Sequence, residues 1–128
     1  MIATRLASAD LADDITTALG DLAAVILDPD EATALVLSGT STVIITPPTI
    51  TSNAGTVYTL EWEMPIVGAP VADQDEAWQS LDEILTRLDS LLEWDHVRPI
   101  TWSGSQTATA PAYLITHKRT IYKENPNA

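Results

Sequence analysis

Apolar and polar positions alternate along this chain with two distinct periods. Leu11, Ile15, Leu19, Leu22 and Ile26 step by 4, 4, 3 and 4, which is one face of a helix. Asp10 is placed to cap its start, and Asp13 and Asp14 suit the positive end of the helix dipole. Pro29 keeps Asp28 out of helical geometry, so the pattern predicts a helix ending near the stretch DPDE. In ALVLSGTSTVIIT, the runs Ala34–Leu37 and Thr42–Thr46 flank Ser-Gly-Thr-Ser and predict a hairpin. The stretch PPTITSNAGT, residues 47–56, carries two prolines, an Asn and a Gly and predicts a flexible loop.

The clearest strand is VYTLEWEMPIV. There Tyr58, Leu60, Trp62 and Met64 face a core, while Thr59, Glu61 and Glu63 face water. Pro65 predicts the end of regular pairing or a sheet edge. A second helix comes next, with Trp78, Leu81, Leu85, Leu88 and Leu92 stepping by 3, 4, 3 and 4, and with Ile84 and Leu91 widening the stripe. Asp73, Asp75 and Glu76 crowd its N-terminus, and Glu83 and Arg87 stand four apart in the favourable order. VRPITW predicts a short extended piece, and SGSQTATAP, residues 103–111, a flexible loop. AYLITHKRTIY predicts the last strand, with Tyr113, Ile115, His117, Arg119 and Ile121 on one face and Lys118, Thr120 and Tyr122 on the other. Residues 123–128 form a C-terminal tail. The order predicts an α+β fold: one domain over residues 1–128, a mostly antiparallel sheet, and two amphipathic helices packed on one face.

Composition narrows the chemistry. There is no cysteine, which excludes disulfides, thiolate metal sites and a cysteine nucleophile. The longest apolar run, LAAVIL, is far shorter than the ~20 residues of a membrane span. No apolar stretch stands behind Arg5 in MIATRLASADLADD, so the expectation is a protein kept in a cytoplasm. Seventeen threonines favour strands. The net charge of −12 argues against tight binding to nucleic acid, whose affinity comes mainly from cations on phosphates. A repelling wall still lets a polyanion slide past.

That charge is unevenly divided. Residues 1–96 carry seventeen acids and two bases, or −15; residues 97–128 carry one acid and four bases, or +3. THKRTIYKE alone holds Lys118, Arg119 and Lys123. The plain reading is a solvated edge strand whose charges discourage aggregation. The sharper reading is an interface.

No catalytic motif matches. DQDE at 73–76 begins like a calcium loop, but Trp78 and Ile84 stand where Gly and Glu are required. DPDE at 28–31 fails in the same way, with Thr33 and Gly39. The two histidines, His96 and His117, are too few for zinc without carboxylates. Asp95 and His96 are sequence neighbours, a poor geometry for a catalytic pair, and His117 sits among cations that depress its basicity. SGSQT lacks the second glycine of a nucleophile elbow. The expectation is no catalytic residue, no cofactor and no metal.

The chain resembles the tail terminator (tail completion, or minor tail) proteins of long-tailed bacteriophages, lambda-type. The resemblance lies in size, in the order of elements and in three stretches. These are ADLADDITTALGDLAAV, YTLEWEMPIVGAPVADQDEAWQSLDEILTRLDSLL and RPITWSGSQTATAPAYLITHKRTIY. It implies a structural virion protein of the tail and neck, assembled in the host cytoplasm. Such a protein forms a ring, usually of six subunits, on the tail tube protein. It ends tube elongation and offers the head–tail connector protein a surface, while DNA passes through the lumen without specific binding. No membrane and no catalysis are implied. In a ring, one patch meets a different patch of the next copy. The expected interface pairs Lys118, Arg119 and Lys123 with an acidic turn, Asp73, Asp75 and Glu76, or with Asp28–Glu31. The alternatives are another neck or connector protein of the same particle, and a small acidic binding module or hydrolase using Glu61, Glu63 and His96.

Overall fold

The computed structural model describes residues 3–53, 55, 57–103 and 109–122. The first helix, α1, spans Thr4–Leu19, earlier at both ends than the periodicity implies. Asp10 is not its cap, because Ala3 holds that position and Asp13 and Asp14 lie in the helix interior. Its end is set by Gly20, whose φ of 56° and ψ of −125° suit only a residue without Cβ. Leu22 lies in a 3₁₀ turn beyond it, and Ile26 belongs to a strand, β1, Ala24–Ile26.

Asp28-Pro29 ends nothing; it starts the next helix. Asp28 is extended, and its side chain accepts from the Asp30 N–H. Pro29 occupies the first position of a 3₁₀ turn that runs into α2, Ala32–Leu37. The expected hairpin is therefore absent. β2, Thr42–Ile44, returns parallel to β1 by way of α2, the crossover that a parallel pair requires.

The 47–56 stretch is not a simple loop either. Thr49–Ser52 forms β3 and pairs antiparallel with β4, Val57–Val67. Gly55, at φ 95°, lies in the turn between them. All four residues of β3 are exposed, so burial wrote no pattern into the sequence there. α3 then spans Gln74–Asp89, β5 spans Trp94–Ser103 and β6 spans Thr109–Tyr122. The short extended piece is thus a ten-residue edge strand, and Pro99 is tolerated there because it lies on that edge. Residues 109–111 of the expected second loop belong to β6, while 104–108 and the tail 123–128 lie outside the described residues.

One sheet of order β1-β2-β4-β6-β5 results, with β3 also on β4, and only β1–β2 is parallel. The expected mostly antiparallel α+β fold is what the structure has. β4 and β6 pair from Val57↔Tyr122 to Val67↔Ala112 and form its spine. Pro65 does not interrupt that spine. On its other side β3 ends opposite Glu61 and β2 begins opposite Ile66, so Pro65 sits in the gap between them.

The pleat divides the core. Val25, Val43, Ile66 and Tyr113 stand in one row across the strands and face α1 and α3. Leu11, Ile15, Leu19, Leu81, Ile84 and Leu88 come down onto them. One residue further on, Ile26, Ile44, Val67 and Ala112 face the opposite way and pack with Ala32 and Val36 of α2. The two predicted helices do share one face; a third covers part of the other.

α3 is rotated from its predicted phase. Ala77, Leu81, Ile84 and Leu88 are buried, while Trp78 is 56% exposed and Leu91 41%. Gly68 explains the rotation. A Cβ there would lie 2.7 Å from the Ala77 carbonyl oxygen, so helix and strand end touch backbone to backbone. Ala77 takes the contact, and Trp78 turns outward.

Candidate functional site

β6 carries the charged segment through two environments. Up to His117 it is an interior strand with β4 on one side and β5 on the other. Pairing with β5 stops at Trp94↔His117, after a bulge between Trp94 and Val97. From Lys118 to Tyr122 the strand keeps β4 alone among the described residues. The edge-strand reading therefore fits only the last five residues.

Lys118 and Arg119 have partners within the chain. Lys118 Nζ lies 3.6 Å from Glu61 Oε1, directly across the β4–β6 pair. Arg119 Nη2 lies 3.0 Å from Asp14 Oδ2 on α1. Neither partner comes from the two acidic turns. Both pairs are partly exposed, so each is worth about 0–1 kcal/mol. Lys123 lies outside the described residues. The acidic turns serve their own helices: Asp73 Oδ1 accepts from the Glu76 N–H, Asp75 Oδ2 accepts from Gln79 Nε2, and Asp28 Oδ1 accepts from the Asp30 N–H. All three aspartates remain exposed to solvent.

Beneath Arg119 runs a buried polar chain that periodicity does not reveal. His117 is 5% exposed and stacks on Trp62, ring centroids 6.2 Å apart and planes at 25°. Its Nδ1 lies 2.7 Å from the Glu93 carbonyl oxygen, and Arg119 Nε donates to its Nε2 at 3.0 Å. A carbonyl can only accept and a guanidinium N–H can only donate. The ring is therefore neutral with its proton on Nδ1. Trp62 Nε1 donates to Ser8 Oγ at 3.0 Å. This chain fastens α1 to the centre of the sheet. Its only sequence signal is the shared parity of Trp62 with the core residues of β4 and of His117 with Ile115.

Burial lowers the His117 pKa below 6.5, and the Arg119 charge adds to the shift, while the Glu93 carbonyl bond opposes it. The direction matches the sequence expectation, with burial rather than neighbouring cations as the leading cause. Unfolding lets this histidine take a proton near its ordinary pKa. Its contribution is thus fully present above about pH 6.5 and shrinks as pH falls toward the lowered folded value. In urea titrations, the wild type should lose stability relative to His117→Gln across that acid window. Parallel pH profiles for the two proteins would contradict the assignment.

The structure holds His96 apart from Glu61 and Glu63, with β6 between them. Glu61 is engaged with Lys118, and Glu63 stands opposite Thr116 of β6. His96 is exposed on β5, one strand further on, about 10 Å from β4 by strand spacing. Among the described residues, no three His, Asp or Glu side chains group as a metal site.

The chain matches no protein-family model and no curated protein. Its surface is sharply divided. α1 and α3 present eight carboxylates against Arg5 and Arg87, a strongly anionic helix layer. Arg87 serves the fold, since its Nη1 donates to the Leu19 carbonyl at the end of α1. On the opposite sheet face α2 packs with Ile26, Ile44 and Val67, and Ala110 and Ala112 belong to the same buried cluster. Beyond that it shows Thr49, Thr51, Thr59, Glu61, Lys118 and Thr120. No helix of the described residues is long and apolar enough to cross a membrane.

Proposed function

We propose that this chain is a structural subunit that closes with copies of itself into a ring, caps a phage tail tube, ends its elongation and presents the joining surface for the head. The observation that carries the reading is the division of the surface. One side is a helix layer with eight carboxylates, Arg5 and Arg87, onto which Arg119 of β6 reaches to bond Asp14, and the other is a threonine-rich sheet face that carries Lys118 beside Glu61. A head-to-tail ring needs unlike patches on one body. An anionic layer facing the lumen lets DNA pass without adhering, because it offers phosphates no cations to replace their counterions. The resemblance in element order and in the three quoted stretches supplies the tube as the partner. The same reading makes the chain a non-catalytic virion component without cofactor, assembled in the host cytoplasm.

Tube protein assembled with and without this chain tests the reading. With it, tubes should carry a ring at one end in electron micrographs, and their length distribution should narrow to a fixed maximum. Rings that form while tube length is unchanged would assign the chain to the neck or connector. A monomer at high concentration that does not bind tubes would exclude both.

A further inference from the structure

α3 carries a second stripe beside its buried one. Asp75, Trp78, Asp82, Leu85 and Asp89 step by 3, 4, 3 and 4 along the helix. Leu85 is half-buried and the other four are exposed. The opposite flank of the helix is engaged in the fold: Ser80 bonds Ser41, and Arg87 donates to the Leu19 carbonyl. The Trp78 flank therefore looks toward β5, where the helix stops short of covering the sheet. Pro99 pairs with Tyr113 and Thr101 with Pro111 on the helix side, yet Pro99 and Thr101 are exposed. The gap is a cleft of about 150 Å³ lined by Trp78, Leu81, Pro99, Ile100, Pro111 and Tyr113. An apolar cavity of this size holds a benzene-sized group.

We infer that this cleft docks an extended segment of a different protein, with one apolar side chain seated against Trp78 and an Arg or Lys on either side of it facing the aspartates. The inference stands apart from the ring reading, and either can fail without the other. Charge selects the occupant. Asp75, Asp82 and Asp89 line the stripe, and no cation of the described residues faces it. Arg98 shares the parity of Ile100 and Trp102 on the far face, and Arg5 lies beside Leu27 and Pro47. Lys118 lies against Glu61 and Arg119 against Asp14. A cation is also attracted to the indole face itself. Helix rise sets the spacing. Along the axis Asp75 stands about 4.5 Å before Trp78 and Asp82 about 6 Å after it. An extended chain advances about 3.3 Å per residue, so the two cations belong one or two residues from the anchor. The adjoining residues 104–108, Gly-Ser-Gln-Thr-Ala, include no cation and no large apolar side chain. A second copy would bring a net charge of −12 to a layer that is already anionic.

A displayed library of random heptapeptides, selected on the full chain, is the probe. Recovered sequences should share a Leu, Pro or aromatic residue with Arg or Lys one or two places away on both sides. A synthetic peptide of the recovered consensus should bind Trp78→Ala about tenfold more weakly or worse, the loss expected for an aromatic anchor. Trp78 is exposed, so this variant should unfold in urea as the wild type does. The double variant Asp75→Asn, Asp82→Asn leaves the cleft intact and should weaken the peptide a few-fold, the scale of exposed ion pairs. Wild-type affinity should fall with added salt. A selection that enriches nothing, or enriches sequences without cations, overturns the inference. So does a recovered peptide that binds Trp78→Ala as tightly as the wild type. If Trp78→Ala instead breaks up the chain's own rings, a second copy occupies the cleft; the inference then falls while the ring reading stands.

Discussion

Trp62→Ala should remove about 3–5 kcal/mol, the cost of emptying a site of this size in a packed core. Trp62 is 0% exposed and heads the largest fully buried side chains. It stands at the centre of β4 with Leu60 and Met64, beneath α1 and beside His117 on β6. Truncation costs more than volume. The Ser8 hydroxyl loses the donor that ties α1 to the sheet, and His117 loses the ring it stacks on. Against a total of about 5–15 kcal/mol for a domain, the variant keeps a small margin at best. Urea unfolding, with the slope checked for constancy, measures the loss. Trp62→Phe separates the contributions: it keeps an apolar ring, removes the indole N–H and should cost about 1 kcal/mol for the hydrogen bond, plus a smaller packing loss. An alanine variant that loses less than about 1.5 kcal/mol would mean the site collapses around the gap, against the packing described.

Gly68→Ala should destabilise by about 1–3 kcal/mol, the range for overpacking a tight contact. The sign is the informative part. At an unstrained position with room for a methyl group, Gly→Ala stabilises by about 0.4–1 kcal/mol through the unfolded chain. Gly68 has no positive φ, so its backbone would accept alanine. Its surroundings would not. The new Cβ meets the Ala77 carbonyl oxygen at 2.7 Å and Leu81 Cγ at 3.0 Å. Leu81 can adjust, but a helix carbonyl cannot turn aside without moving α3. Nor can the strand end retreat. Gly68 N–H donates to the Pro111 carbonyl, and Ala69 N–H donates to the buried Ser41 hydroxyl, which also bonds Ser80 on α3. A Gly68→Ala protein at least as stable as the wild type would show that α3 is not held at this distance.

The overlong first helix and the missing hairpin have one origin. Asp28-Pro29 can stop a helix on its N-terminal side or start one on its C-terminal side, and local spacing cannot say which operates. Leu22 and Ile26 continue the α1 stripe numerically, but Gly20 has already broken the helix, and Ile26 finds Ile44 across a parallel pair. β3 is silent for the opposite reason: nothing buries it, so selection for burial left no alternation to read. The site residues divide in the same way. The cationic end, the parity of His117 and Arg119 and the opposed facing of Lys118 are plain in the sequence. That Lys118 meets Glu61 and Arg119 meets Asp14 is not, because each pair depends on strand register or helix placement.

Features that arise within one turn or one strand are legible in the residues alone. These are the long central strand 57–67, the last strand, the existence of α1 and α3, the acidic cap of α3 and the charge asymmetry, all products of local period and composition. Folding in three dimensions was needed to settle which strands pair, that α2 lies on the far face and that Trp78 points outward. The reason is physical: these outcomes turn on where distant backbones approach, as Gly68 and Ala77 do. A chain encodes such approaches through what it omits, here a single Cβ, more than through any repeating signal.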